Sequence, residues 1–247
     1  MIPVSAVIIT KNEANNLKTL LPLLTWCDEV VVLDDYSTDD TLEVCKQFGC
    51  VTAQRKLENF GLQKQYAVSL AKNRWIFSID ADEIPTKELV AEIQSILTPE
   101  TDVAAYYIRR QHIFLKRVFK YSAESKMYFI RLFDRNRANF NSNKVHETVD
   151  TNEKTNKLKY TILHESFQNL GQYFRKLNHY TSLLAETHFE RRKKKNMFLV
   201  MLSNPFIFLK SYLGELNFME GMPGFFWSLL GSWYRIVKYL KLREMYI

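Results

Sequence analysis

An α/β fold, with a mostly parallel sheet flanked by helices and a helical C-terminal extension, is predicted by three observations. Strand-like and helix-like segments alternate through the first hundred residues, the pattern turns β-rich from Val103 to Val149, and only helical periodicity remains beyond Leu170. At 247 residues the chain suffices for one catalytic domain with an appendage, and two independent enzymatic domains are not expected.

In chain order, Val4 to Thr10 reads as a buried strand, Glu13 to Leu24 as a helix, Glu29 to Asp34 as the second strand and Asp39 to Phe48 as the second helix. Ser37 stands three residues before Asp40, a capping-box spacing that predicts a helix start there. A strand over Val51 to Arg55, a helix over Leu62 to Lys72, a strand over Trp75 to Asp80 and a helix over Thr86 to Leu97 follow. Pro85 is expected to stop the strand and open a turn. The β-rich part holds Ala104 to Arg109 and Met127 to Phe133, Tyr160 to His164 reads as a final short strand, and Leu170 to Arg192 as a long helix. These elements divide the chain into a catalytic domain over 1–168, itself split into halves 1–100 and 101–168, and a helical region over 169–247.

Composition narrows the partners. Apolar residues at 47%, charged residues at 25%, and only 7 Gly and 6 Pro describe a globular chain without long disordered linkers. A formal net charge of +7 favours anionic partners. Cys27, Cys45 and Cys50 contain no CxxC pair and are odd in number, so reduced thiols are expected rather than a disulfide framework or zinc ribbon. No basic stretch followed by an apolar core opens the sequence, which predicts a protein without a signal peptide and a cytoplasmic location.

Chemistry-bearing residues fall at strand ends. Ligands of open α/β sheets sit at the carboxyl ends of the strands, and there stand Thr10, the pair Asp34 and Asp35, and the pair Asp80 and Asp82. Asp80, Ala81 and Asp82 form an Asp-x-Asp triplet whose carboxylates suit a hard divalent cation, Mn²⁺ or Mg²⁺, with positions left open for substrate phosphates. A solvated acidic turn is the alternative reading of the triplet alone.

The runs Ile8 to Glu13, Val32 to Thr41 (VLDDYSTDDT), Phe60 to Lys64 and Asp80 to Glu83 together resemble family 2 glycosyltransferases. The Val145, His146, Glu147 triplet narrows the resemblance to the branch of lipopolysaccharide core glycosyltransferases. The motifs span roughly residues 1–164. The resemblance implies the GT-A fold, with residues 1–100 holding the nucleotide and 101–168 the acceptor. It implies an inverting transfer from a nucleotide-diphosphate sugar, UDP-linked by expectation, to a lipid-linked glycan, with transfer to a polyprenyl phosphate, or nucleotide-sugar binding without turnover, as the alternatives. It places the nucleotide sugar at Thr10, Glu13, Asp34, Asp35 and Asp80, brings Lys64 to the diphosphate, and makes Asp82 the main metal ligand, with Asp80 on the ribose or the ion. The usual second motif has glycine where Tyr36 stands, and many of the narrower branch have serine at the position of Asp35, so which aspartate faces the nucleotide stays open. For Lys64 an exposed helix lysine is the bland alternative.

An inverting transfer needs a base to take the acceptor's proton. Glu147 is the candidate, Glu83 its rival, and a surface carboxylate in a structural turn the alternative for Glu147. His146 and Arg131 are candidates for contact with the acceptor or diphosphate, as is His164, which ends a strand-like run and has a counterpart in the late metal-bound histidine of related folds. Arg110 shares the anion-clamping possibility with Arg131, and structural ion pairing is the alternative for both.

In the tail, Arg191 to Lys195 form five consecutive cations followed by apolar residues, and Phe225 to Val237 carry aromatic residues at helical spacing. The uninterrupted apolar stretches read as shorter than the roughly 20 residues of a spanning helix. Peripheral association with the inner-membrane surface is the expectation, and packing on the catalytic domain the alternative. A nucleic-acid partner is not expected, because acidic strand ends would repel phosphates.

Overall fold

The computed structural model describes residues 2–142, 147–167 and 169–247. Its elements are β1 (Val4–Thr10), α1 (Ala14–Leu20), β2 (Glu29–Asp34), α2 (Thr41–Gln47), β3 (Val51–Gln54), α3 (Phe60–Leu70), β4 (Trp75–Ser78), β5 (Glu83–Pro85) and α4 (Lys87–Ile96). They continue with β6 (Ala105–Phe114), β7 (Arg117–Val118), β8 (Tyr128–Asp134), β9 (Asn139–Phe140), β10 (Val149–Asp150), β11 (Thr155–His164), α5 (Leu170–Glu190), α6 (Met197–Leu209) and α7 (Met222–Glu244).

The chain forms two compact units. The first comprises Met1–Gln111 and Met127–His164, the second His112–Lys126 and Glu165–Ile247. This division differs from the expected one at 168, because the excursion His112–Lys126 leaves the sheet unit and joins the helices. Glu220, fully buried in the second unit, accepts hydrogen bonds from the Lys120 and Tyr121 amides at 2.6 Å. No local pattern in residues 112–126 announces a partner a hundred positions away.

In the first unit the strand order is β3-β2-β1-β4-β8-β6-β11-β5. The strands β3, β2, β1 and β4 are parallel, whereas β8 runs antiparallel to β4, and β5 antiparallel to β11. Both faces of β1 are covered, so its side chains alternate between two apolar clusters. Val4, Ala6 and Ile8 pack with Leu17 and Leu20 of α1 and Leu89 and Ile93 of α4. Val7 packs on the other face with Ala67 and Val68 of α3. Such two-sided burial produces the continuous apolar run by which the strand was legible.

Local differences from the expected elements have physical causes. Ser37 does not cap a helix: its hydroxyl donates to the Asp34 carboxylate and accepts from the Asn12 amide, so it closes the turn after β2, and α2 begins at Thr41. Ala81 and Asp82 lie in a turn in which the Glu83 amide donates to the Asp80 carbonyl at 3.0 Å. Pro85 does not end pairing, because it sits in β5 opposite Ile162 of β11. β6 and β11 run longer than predicted.

In the second unit, α5 and α7 pack together and α7 also packs on α6. Trp227, Leu230, Tyr234 and Val237 of α7 cover a core of Phe114, Phe119, Tyr173 and Leu177, so much of the aromatic cluster in the tail is interior packing. Gly224 allows α7 to approach Asn217, since a Cβ there would lie 1.9 Å from the Asn217 carbonyl oxygen. The apolar stretch is longer than expected. Past Leu209 the helix widens into a π-turn over Lys210–Gly214, and Met197–Gly214 is by length and composition sufficient to cross a membrane, with a mean hydropathy of 1.3.

Candidate active site

Three parallel strands deliver the site. Thr10 and Asp34 are register partners at the ends of β1 and β2, and the Ile79 amide donates to Val7, which sets the Asp80 turn beside β1. The carboxyl ends of β2, β1 and β4 therefore form one continuous edge.

On the β1–β2 side the groups are closely held. Asp34 is fully buried and its carboxylate is consumed by Ser37 and by Gln54 Nε2 at 2.9 Å. Asp35 accepts from Lys11 Nζ at 2.8 Å and from the Leu57 amide at 2.9 Å. Its burial acts to raise the carboxyl, and the Lys11 and Leu57 hydrogen bonds outweigh it, so the group is held below its usual range. Tyr36 between them and Ser37 adopts φ +50°. Left-handed backbone costs a side-chain-bearing residue about 1–2 kcal/mol, which explains why glycine is the usual residue of this motif. Thr10 has a buried hydroxyl with no hydrogen-bond partner, an orphan group at the strand end. Glu13 heads α1, where its carboxylate accepts from Asn16 Nδ2 at 2.6 Å.

On the β4 side lies a charge network. Arg131 of β8 places Nη2 at 2.7 Å from Asp80 Oδ2 and 2.5 Å from Glu83 Oε1. Lys64 of α3 places Nζ at 3.2 Å from Asp80 Oδ1 and 2.9 Å from Glu147 Oε1. Lys64 is thus a buried bridge between two carboxylates, not an exposed helix lysine. Burial works to raise the Asp80 carboxyl, but the Arg131 and Lys64 charges dominate and hold it far below the usual carboxylate range. Glu83 is 0% exposed, and there burial prevails over Arg131 and raises its carboxyl. Arg110 stacks on Phe129, 4.4 Å from the ring centroid, and stands 3.9 Å from Glu83.

Asp82 takes a different partner from Asp80. The β5–β11 pairing sets His164 opposite Glu83, and His164 Nε2 then lies 3.3 Å from Asp82 Oδ2, both side chains part-exposed. A carboxylate oxygen and an imidazole nitrogen at this spacing suit one divalent cation, while Asp80 faces two cationic side chains. Among the described residues no three His, Cys, Asp or Glu side chains form a metal-holding group.

A cavity of about 530 Å³ opens over this network, lined by Lys64, Asp80, Arg110, Arg131, Phe140 and Glu147 among others. Of the sequence candidates it gathers Lys64, Asp80, Arg110, Arg131 and Glu147, whereas Thr10, Glu13, Asp34, Asp35, Asp82, Glu83 and His164 do not line it and His146 falls outside the described residues. The Lys64–Glu147 bridge is the feature that sequence patterning missed, since nothing local ties a lysine on α3 to a carboxylate two residues before β10.

Comparison with known proteins agrees with this geometry. The family model "Glycosyl transferase family 2" matches residues 5–153. A Rickettsia felis protein named only as an uncharacterized glycosyltransferase is 30% identical over 259 residues, covering 98% of this chain and 89% of its own length. The lipopolysaccharide core biosynthesis glycosyltransferase LpsC of Rhizobium meliloti is 25% identical over 252 residues, covering 98% of this chain and 93% of LpsC. Among solved structures, S. aureus TarS 1–349 in complex with UDP superposes with a TM-score of 0.51 at 16% identity, over 99% of this chain and 91% of that one, a likeness of fold. With the strand order and the acidic strand ends described above, the fold is GT-A and the chain belongs to glycosyl transferase family 2.

Proposed function

We propose that this glycosyltransferase moves a sugar, with inversion, from a UDP-sugar to a lipid-linked saccharide such as a lipopolysaccharide core or another envelope glycan precursor, at the cytoplasmic face of a membrane. The observation that carries the reading is the Asp82–His164 pair, whose aspartate stands two residues along the chain from Asp80, which lines the cavity together with Glu147. Similarity to LpsC supports the acceptor class, and the likeness in fold to TarS, solved with UDP and with UDP-GlcNAc, supports the donor class.

Thr10 and Asp35 bind the nucleoside, Thr10 through its orphan hydroxyl and Asp35 through the rim of the β2 turn. Asp82 and His164 hold the cation, and their mixed oxygen and nitrogen donors suit Mn²⁺ better than Mg²⁺, which favours an all-oxygen shell. When bound, the ion supplies Lewis-acid stabilisation of the departing diphosphate, a contribution of several kcal/mol. Lys64 adds a cation on the diphosphate side of the cavity. The acceptor hydroxyl attacks the anomeric carbon, Glu147 takes its proton, and the sugar–phosphate C–O bond breaks with its electron pair leaving on UDP. Glu147 lines the cavity, whereas Glu83 is fully buried and held by Arg131, which favours Glu147 as base and gives Glu83 the task of orienting Arg131 against Asp80.

A panel of nucleotide sugars assayed for nucleoside diphosphate release, with and without Mn²⁺, tests the proposal. UDP release from one UDP-sugar is expected only with the metal, and Asp82→Asn is expected to lower it by about 10²-fold or more. Equal release without metal, or from Asp82→Asn, would refute the assignment.

A further inference from the structure

The second unit carries a surface that the transfer chemistry does not use. On α6 and the turn after it, Phe198, Leu202, Phe206, Leu209 and Leu213 recur at helical spacing along one face. Phe198 is 70% exposed, Leu202 59% and Phe206 71%. No charged residue occurs from Asn196 to Leu209. The opposite face is anchored: Val200 is buried, and Arg235 of α7 donates through Nη1 to the Val200 carbonyl at 3.1 Å and the Ser203 hydroxyl at 3.0 Å. An apolar face of this extent, left in water by a helix otherwise fixed in place, marks an interaction surface.

Charge indicates what covers it. The cationic run Arg191 to Lys195 leads directly into α6. At that end of the helix is a cavity of about 400 Å³ whose lining includes Lys194, Lys195, Arg243, Tyr239, Tyr246 and Phe198. Lys194 Nζ stands over the Tyr246 ring, 4.8 Å from its centroid. The positive field is strong enough to register on a neighbour. Burial together with Lys238, Lys193, Arg191 and Lys195 holds the His188 imidazole below its ordinary value. Cations thus sit at one end of an exposed apolar stripe, the arrangement of a headgroup beside acyl chains.

We infer that α6 and this basic cavity form a binding site for anionic phospholipid, with the headgroup phosphate among Lys194, Lys195 and Arg243 and the stripe from Phe198 to Leu213 lying in the plane of one leaflet. The helix lies in the leaflet and does not cross it. Arg235 is hydrogen-bonded to α6, so a spanning α6 would carry that guanidinium into the hydrocarbon, where a charge is costly. Lying flat leaves Arg235 and the lysines at headgroup depth. The inference rests on the proposed function only for its purpose, bringing the enzyme to a lipid-linked acceptor, because the binding itself needs neither donor nor acceptor.

The test is co-sedimentation of the full chain with vesicles of phosphatidylglycerol and phosphatidylcholine in equal parts, against vesicles of phosphatidylcholine alone. Binding is expected to be at least tenfold tighter to the anionic vesicles and to weaken with salt. The triple variant Lys194→Gln, Lys195→Gln, Arg243→Gln is expected to lose about fivefold per cation, roughly a hundredfold in all. The variant Phe198→Ser, Leu202→Ser, Phe206→Ser is expected to lose tenfold or more. Both variants should keep the wild-type melting temperature to within a few degrees and the wild-type rate of nucleoside diphosphate release. Equal binding to the two vesicle types, or full binding by the lysine and arginine variant, overturns the inference. So does a stable dimer in sedimentation velocity that binds no vesicles and that the serine variant dissociates, since a second copy would then cover the stripe. Vesicle binding without nucleoside diphosphate release would leave this site standing and count against the enzymatic proposal alone.

Discussion

The cleft of the sheet unit takes charged side chains out of water, whereas α6 in the helical unit leaves phenylalanine and leucine in it. Around β4, Lys64, Arg131 and Glu83 are buried with the part-exposed Asp80 in a network in which each cation touches two carboxylates. Along α6, residues that would normally supply a core stay exposed and only Val200 is buried. Burying ions is costly unless each is paired, and exposing an apolar stripe forgoes stabilisation that folding would otherwise gain. Neither arrangement follows from stability alone, and each identifies a place where the chain is shaped for something outside itself.

The largest expected effect tests the charged side of that contrast. Glu147→Gln keeps the shape of the side chain and removes the proposed proton acceptor, so kcat is expected to fall by about 10²–10⁴-fold, while donor affinity measured by calorimetry stays near wild type. Loss of donor binding with no separate loss of kcat would instead give Glu147 a structural role through Lys64. Next, the same substitution made in each unit measures how differently they use an aromatic ring. Phe77→Ala, at a fully buried site in the sheet, is expected to cost about 3–5 kcal/mol in denaturant unfolding. Phe206→Ala on α6 is expected to change stability by no more than about 0.5 kcal/mol. Comparable losses at both sites would erase the distinction between core and exposed stripe.

A smaller effect lies on the acid limb. The Asp80 carboxyl is held below its ordinary value of 3.8 by Arg131 and Lys64 in spite of burial. A carboxyl depressed in the folded state contributes stability that is fully present above its unfolded value and is lost as pH falls through the folded one. Thermal melts from pH 6 down to pH 2 should therefore show a steeper decline below about pH 4 in the wild type than in Asp80→Asn. Parallel declines would mean that the network does not hold Asp80 ionised.

The same contrast explains what was legible in the sequence. β1 and β2 were readable to the residue because two-sided burial leaves an apolar run bounded by polar strand ends, and those ends are the nucleotide-side candidates. The Asp-x-Asp triplet was visible, but the division of labour within it was not. Asp80 and Asp82 differ through partners on β8, α3 and β11 that only the sheet order brings near. Pro85 obscured β5, since a proline is readily read as a strand terminator and here occupies a position in a short terminal strand. The α6 stripe was partly hidden because Pro205 and the charge at Lys210 interrupt the run in the sequence, while the helix continues past both.

β11 carries a consequence for how the molecule is made. It is the last strand of the sheet, yet it pairs with β5 and delivers the imidazole that meets Asp82. Synthesis proceeds from the N-terminus, so a chain still on the ribosome can assemble the four parallel strands long before residue 164 emerges. The Asp82–His164 pair, proposed above to hold the cation, then forms late, once most of the polypeptide has been translated, and a growing chain lacks that pair until the final strand docks.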